Sequence, residues 1–330
     1  MDKERRIRIV FMGTPLFAKI ILEALYDNKN FEICAVFAQP DKRSGRGLKK
    51  VEFCEVKSYA LEHNLLLKQP QTLKDEEVFQ EINELSPDFI VVAAYGKILP
   101  EKIIKIPKYD CINVHGSLLP AYRGAAPIQR AIMDSWKGVN ETGVSIMRVT
   151  PELDAGPVYS HKELEIGAHS SETLSITMAK IGAELLISTL LYIIEYNLQP
   201  VEQEHGKATF APKLQKSDGF INCSHSLKQI EACVRAITPW PGARIQLLLP
   251  NTNKKTILEI SICGSENILS NKQLIGQVFF ENKCLKIYCK DGCLIVDRVK
   301  PEGKRWMSAL DYFNGKSFDG SRNLGKVVFE

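Results

Sequence analysis

Four short apolar runs, at 7–12, 31–38, 89–94 and 111–114, are separated by stretches whose apolar residues recur at helical spacing. In the first of these stretches Phe17, Ile21, Ala24 and Leu25 share one face, and similar patterns lie around 51–62 and 72–85. A strand that is apolar along its whole length is buried on both faces. Strands of that kind alternating with helices predict a mostly parallel sheet covered by helices on both sides. Thr14-Pro15 reads as a helix N-cap followed by proline at the first helical position. The pattern continues with a helix starting near Gly124, with Pro127 in its first turn, and with an alternating strand at 144–149. A long helix at 171–195 carries Leu174, Met178, Ile181 and Leu185 in register. Its other face is polar, which predicts a packed surface helix rather than a membrane span.

The pattern breaks from 197 to 216, where Pro200, Gly206 and Pro212 lie among polar residues, as expected of a linker. An amphipathic helix follows, with Leu227, Ile230, Val234 and Ile237 in register. Short strands then crowd together at 243–249, 256–263, 276–280, 284–289 and 293–299, and Asp291-Gly292 is a strong hairpin signal. Five short strands and one helix predict a small β-barrel of the OB type. A chain of 330 residues has room for two such bodies. The expected organisation is an α/β Rossmann-like domain over 1–196, a linker over 197–212 and a C-terminal OB-like β-barrel over 213–330.

The net charge of +4 conceals an uneven distribution. Residues 1–205 hold 24 basic and 28 acidic side chains, whereas residues 206–330 hold 19 basic and 11 acidic ones. A basic second half suits a polyanionic partner, although a merely solvated surface accounts for it equally well. No run approaches the ~18–20 apolar residues that span a bilayer. The run at 7–12 is too short to be the core of a secretion signal. The nine cysteines are scattered, with no C-x-x-C pair, as in a reduced cytoplasmic protein. Cys284, Cys289 and Cys293, and the pair Cys223 and His225, fit no common zinc spacing, so no metal is expected. The first βα turn, Met12-Gly13-Thr14-Pro15, lacks the G-x-G-x-x-G fingerprint, which weakens a dehydrogenase reading. There is no Walker A loop and no G-x-S-x-G elbow.

Chemistry concentrates in Cys111-Ile112-Asn113-Val114-His115-Gly116-Ser117-Leu118-Leu119-Pro120. Alternate residues of a strand face the same side, so Asn113 and His115 project together at a strand's carboxyl end, where open α/β sheets bind ligands. An amide beside an imidazole suits acyl transfer: the amide donates to an oxyanion and the imidazole donates or moves a proton. The bland reading, a polar pair satisfying loop backbone groups, stays open on this tripeptide alone. Asp154 precedes a Gly-Pro turn and would fix the imidazole if the sheet brought it to His115. Ser117 reads better as a loop cap than as a nucleophile. Five of the nine residues at 42–50 are basic and none is acidic, which suits phosphate contacts or simply a solvated loop.

Together these pieces resemble the methionyl-tRNA formyltransferases, of the folate-dependent formyltransferase family, along nearly the whole chain. The resemblance rests on Phe-Met-Gly-Thr-Pro-Leu-Phe-Ala (11–18), Gln-Pro-Asp-Lys-Arg-Ser-Gly-Arg-Gly (39–47) and Ala-Tyr-Gly-Lys-Ile-Leu-Pro (94–100). It continues in Ile-Asn-Val-His-Gly-Ser-Leu-Leu-Pro (112–120), Arg-Gly-Ala-Ala-Pro-Ile-Gln-Arg-Ala (123–131) and Leu-Asp-Ala-Gly (153–156). In the second half it includes Phe-Ala-Pro-Lys-Leu (210–214) and Thr-Pro-Trp-Pro-Gly-Ala (238–243). The Asn-x-His and Asp set gives only the reaction class; the Ser-Gly-Arg-Gly loop and the Arg-Gly-Ala-Ala-Pro segment are the specific signals.

The resemblance implies a formyltransferase domain and transfer of a formyl group from 10-formyltetrahydrofolate to the methionine amine of initiator methionyl-tRNA, for translation initiation. It implies Asn113, His115 and Asp154 as the catalytic set, and Ser117, Leu118, Leu119 and Pro120 as lining the folate site. It places Lys42, Arg43, Arg46, Lys49, Lys50 and Lys213 against tRNA and Phe17 near the methionine side chain. The expected protein is a cytoplasmic monomer with no metal and no membrane. The chain departs from the family's pattern at Ala121-Tyr122, at the proline-poor stretch 51–55 and at Asn222-Cys223. The rival readings are an amino-sugar-nucleotide formyltransferase, a hydrolase of the same folate, and a non-enzymatic RNA-binding protein on the same fold.

Overall fold

The computed structural model describes residues 5–44, 50–249, 254–268, 272–314 and 323–328. The chain divides into two compact units. The first comprises 1–131, 140–168 and 173–213; the second takes 214–330 together with the short pieces 132–139 and 169–172.

In the first unit the strands are β1 (Ile7–Gly13), β2 (Phe31–Phe37), β3 (Lys42–Ser44), β4 (Lys50–Glu52), β5 (Leu67–Lys68), β6 (Phe89–Ala93), β7 (Asp110–His115), β8 (Glu141–Arg148) and β9 (Val158–Glu165). The helices are α1 (Leu16–Tyr26), α2 (Glu55–Glu62), α3 (Glu76–Glu84), α4 (Glu101–Ile104), α5 (Pro127–Asp134) and α6 (Ser171–Tyr196), the last two reaching into both units. Seven strands form one sheet in the order β5-β2-β1-β6-β7-β8-β9. The pairings from β5 through β7 are parallel, and β8 and β9 extend the sheet antiparallel. The chain builds outward from β1 in one direction through β2 and β5, then returns to build the other way through β6 and β7. The reversal between β1 and β6 opens a crevice at the carboxyl ends of the strands, the usual ligand position of such sheets.

The expected parallel-rich α/β architecture is therefore present. β6 is buried at every residue, as its unbroken apolar run requires. Edge strand β9, Val-Tyr-Ser-His-Lys-Glu-Leu-Glu, was not anticipated, because its exposed polar residues carry no apolar alternation. Thr14 is not the helix cap expected: Pro15 holds the cap position of α1, and Thr14 Oγ1 instead donates to the Tyr95 carbonyl at 3.2 Å. α6 is long and apolar enough to cross a membrane by length and composition. Leu174, Met178, Ala179, Leu186 and Leu190 on it are nevertheless buried in the protein. Its Gly182 lies so close to the sheet that a Cβ there would be 3.1 Å from both Val114 and Val144.

The second unit contains α7 (Leu227–Ile237), β10 (Arg244–Leu248), β11 (Lys255–Asn267), β12 (Gln277–Glu281), β13 (Cys284–Tyr288), β14 (Gly292–Pro301), β15 (Met307–Ser308), α8 (Ala309–Asn314) and β16 (Asn323–Val327). Pairing runs β11-β10-β16-β12-β13-β14 and returns from β14 to β11, closing a barrel of six antiparallel strands. Closure leaves those strands no free edge. Alternate residues Ile245 and Leu247, Leu285 and Ile287, and Leu294 and Val296 fill the interior. The sixth strand, β16, lies beyond the five read from the sequence. Asp291-Gly292 stands at the β13–β14 hairpin, where Cys289 N–H donates to the Gly292 carbonyl at 2.7 Å. Ser226 caps α7 by accepting from the Gln229 N–H at 3.3 Å.

Candidate active site

β7 ends at His115, beside the crevice between β1 and β6. Ile112 and Val114 are buried, and Val114 packs toward Gly182 of α6. Strand alternation therefore turns Asn113 and His115 to the opposite face. His115 Nε2 is 3.1 Å from the Tyr122 carbonyl, and Nδ1 is 3.7 Å from Asp154 Oδ1. Both side chains are largely shielded from solvent, at 6% and 12% exposure. The other carboxylate oxygen, Asp154 Oδ2, accepts from the Gly124 N–H at 2.8 Å. Each ring nitrogen thus faces an oxygen atom. The half-buried Asn113 side chain has no hydrogen-bond partner among the described residues, so its amide is free to donate.

Asp154 lies in the β8–β9 connection, and β8 runs antiparallel beside β7 with His115 opposite Ser145 and Ile112 opposite Arg148. Asp154 itself adopts a left-handed backbone, φ 49°. That conformation is costly for a residue with a Cβ and persists where its surroundings hold it. The connection is tight: a Cβ on Gly156 would lie 2.1 Å from the Arg148 carbonyl oxygen.

The loop after β7 is closed by its own hydrogen bonds. Ser117 is fully buried and its hydroxyl donates to the Ala121 carbonyl at 2.6 Å. Ser145 Oγ donates to the Ser117 carbonyl at 2.8 Å and accepts from the Leu119 N–H at 3.1 Å. Leu118, Leu119 and Pro120 remain half-buried. The loop is also laced to residues 209–211. Tyr122 N–H donates to Thr209 Oγ1 at 2.8 Å, Arg123 N–H to the Thr209 carbonyl at 2.8 Å, and Ala211 N–H to the Arg123 carbonyl at 2.7 Å. The stretch read as a linker therefore runs against the site-bearing loop.

The remaining sequence-derived residues are distributed as follows. Phe17 is buried on α1. Lys42 and Arg43 lie on β3 and Lys50 on β4, which pair antiparallel as a hairpin. Arg46 and Lys49 lie outside the described residues. Lys213 is exposed, next to Pro212, whose carbonyl accepts from Arg130 Nε at 3.2 Å. Among the described residues no cluster of three His, Cys, Asp or Glu side chains is placed to hold a metal ion.

Residues 5–190 match the formyl transferase family model, and residues 213–317 match the model of the formyl transferase C-terminal domain. The chain belongs to the formyl transferase family. A methionyl-tRNA formyltransferase of Desulfovibrio desulfuricans is 40% identical over 318 residues, covering 96% of this chain and 94% of the relative. Two solved structures share the fold of this formyl transferase. HypX from Aquifex aeolicus in complex with tetrahydrofolic acid aligns with a TM-score of 0.64 at 15% identity, covering 99% of this chain and 51% of HypX. The methionyl-tRNA formyltransferase from Clostridium thermocellum aligns with a TM-score of 0.55 at 18% identity, covering 89% of this chain and 98% of its own length.

For several residues around the candidate site nothing local in the sequence points to their partners. Tyr95 follows β6, and its carbonyl accepts from Thr14 Oγ1 and, at 2.8 Å, from Gln39 Nε2, joining the ends of β1, β2 and β6. Buried Arg123 and Gln203 meet beneath Asp154. Arg123 stood within a recognised motif, but nothing local to it pointed to a partner 80 residues away.

Proposed function

We propose that this enzyme transfers the formyl group of 10-formyltetrahydrofolate to the α-amino group of methionine on initiator methionyl-tRNA, in the cytoplasm, as part of translation initiation. The observation that carries the reading is the approach of Asp154 to His115, at the end of the strand that also carries Asn113. The name of the Desulfovibrio desulfuricans relative, which matches nearly end to end, supports the choice of acceptor.

The methionine amine is a nucleophile once neutral, so no covalent intermediate on the protein is needed. Its nitrogen attacks the formyl carbon and the carbonyl oxygen becomes an oxyanion. Asn113 and protonated His115 donate to that oxyanion. Asp154 holds the imidazole in orientation. As the tetrahedral species collapses, the C–N bond to folate breaks, the departing nitrogen takes a proton and the amine nitrogen loses one. His115, backed by Asp154, is placed to move that proton.

Half-buried Leu118, Leu119 and Pro120 offer an apolar wall that suits a folate ring, while Ser117 holds their loop closed from within. Lys42, Arg43, Arg46, Lys49, Lys50 and Lys213 supply charge for the acceptor stem and its 3′ end, and Phe17 lies near the methionine side chain. The basic second half gives the barrel the sign needed to hold RNA phosphates.

The direct test is single-turnover formylation by Asn113→Ala and Asp154→Asn. Each is expected to lower the chemical rate by about 10²–10³-fold, the usual effect of losing an oxyanion donor or the group that orients one. Rates within a few-fold of wild type in both variants overturn the assignment.

A further inference from the structure

We infer that Gln203, locked by Arg123, is a positioning residue for formyl transfer: it fixes the left-handed turn that presents Asp154 to His115. The inference rests on the proposed role of Asp154, and it lies outside the residues read from the sequence.

Gln203 is 7% exposed and each end of its amide is engaged. Nε2 donates to the Asp154 carbonyl at 2.9 Å and to the Gly156 carbonyl at 2.6 Å. Oε1 accepts from Arg123 Nη2 at 2.7 Å and from Arg123 Nε at 3.2 Å. A guanidinium has five N–H donors and no acceptor. Arg123 therefore dictates which end of the amide faces it, and leaves the NH₂ end to face the two carbonyls. A flipped amide would set donor against donor and carbonyl against carbonyl.

Arg123 is itself 3% exposed. Besides Gln203 its side chain meets His205 Nδ1 at 3.1 Å, and its backbone is held on both sides by Thr209 and Ala211. Among the described residues this buried guanidinium has no carboxylate partner, and burying it carries a desolvation cost. Its placement has a local consequence. Asp154 sits at φ 49°, and three bonds hold that residue and Gly156: Gly124 N–H on the carboxylate, and the two from Gln203 on the Asp154 and Gly156 carbonyls. Without the Gln203 amide the turn is free to relax to an ordinary backbone, and the carboxylate swings away from the imidazole. Misplacing a group by about 1 Å can cost 10²-fold in rate without weakening binding.

Two replacements separate donation from mere packing. Gln203→Glu keeps the shape and the Arg123 contact but sets carboxylate oxygen against the two carbonyls. Gln203→Met keeps the length and removes both polar functions. In each, kcat for formylation is expected to fall at least 10-fold, while KM for tRNA and for the folate donor stays within 3-fold. Hydrogen exchange at the Gly124 amide is expected to speed up at least 10-fold, with β1 amides unchanged. Gln203→Asn, with donor and acceptor on a shorter stem, is expected to fall between wild type and Gln203→Met, and supplies the reading if Gln203→Met does not fold. An unchanged kcat in folded variants, a rise confined to KM, or an unaltered Gly124 amide overturns the inference. The Gly124 amide reports positioning without substrate, so wild-type protein that formylates no tRNA defeats the proposed function and leaves this measurement decisive on its own.

Discussion

Asp154 carries a backbone cost for the sake of its side chain, and its neighbours show how that cost is met. Gly156, two residues on, lies where the chain passes the Arg148 carbonyl too closely for any Cβ. Gly156→Ala must displace the backbone of β8 or of the turn. A loss of about 2–4 kcal/mol in urea unfolding is expected, together with a fall in kcat, because the same shift moves Asp154. Tyr95 presents the opposite case. It is 1% exposed, and among the described residues its hydroxyl has no partner. Burial pushes its phenol up to about 12 from an ordinary 10.0. A raised folded-state value favours the folded protein below pH 10, and this contribution drains away as pH climbs from 10 toward 12. Tyr95→Phe removes an unsatisfied hydroxyl, so its stability at pH 7 should equal or exceed wild type. Its unfolding free energy should also decline less steeply between pH 10 and 12, as measured by chemical denaturation across that range.

At the scale of elements, contact between α6 and the sheet decides how firmly β7 is held. Gly182 brings the helix axis close to Val114 and Val144, on the face opposite Asn113 and His115. Gly182→Leu forces a large side chain into that contact and is expected to cost about 3 kcal/mol in denaturant unfolding, whereas Gly182→Ala needs a shift of only a few tenths of an ångström. The same contrast explains what the sequence made readable. β1, β6 and β7 are buried on both faces, so their apolar runs stand out without any structure. β9 is an exposed edge with polar residues, and β16 lies alone after α8, so neither was marked by local pattern. Asn113 and His115 were legible because two residues on one strand share a face. The approach of Asp154 to His115 depends on the tertiary fold, which no local spacing encodes. Gln203 was invisible for a stronger reason: its partners lie 80 and 49 residues away, and its own surroundings are the polar, proline-punctuated stretch that reads as a linker.

For the whole molecule the decisive quantity is where charge sits. A net charge of +4 says little; the proposed grip on RNA phosphates rests on an excess of 8 positive charges after residue 205 and on the acid-free basic stretch at 42–50. If six phosphates are neutralised, the affinity for tRNA should fall about 10³-fold between 50 and 200 mM salt, with a correspondingly steep log–log slope. A flat response in filter binding contradicts the role given to these charges. The central claim is the transfer itself. Wild-type protein should be incubated with 10-formyltetrahydrofolate labelled in the formyl group and, in separate reactions, with charged initiator tRNA, charged elongator methionine tRNA and an amino sugar nucleotide. The account predicts label on the methionine of the initiator, with little on the elongator and none on the sugar. Label on the sugar, or release of labelled formate with no acceptor modified, contradicts it.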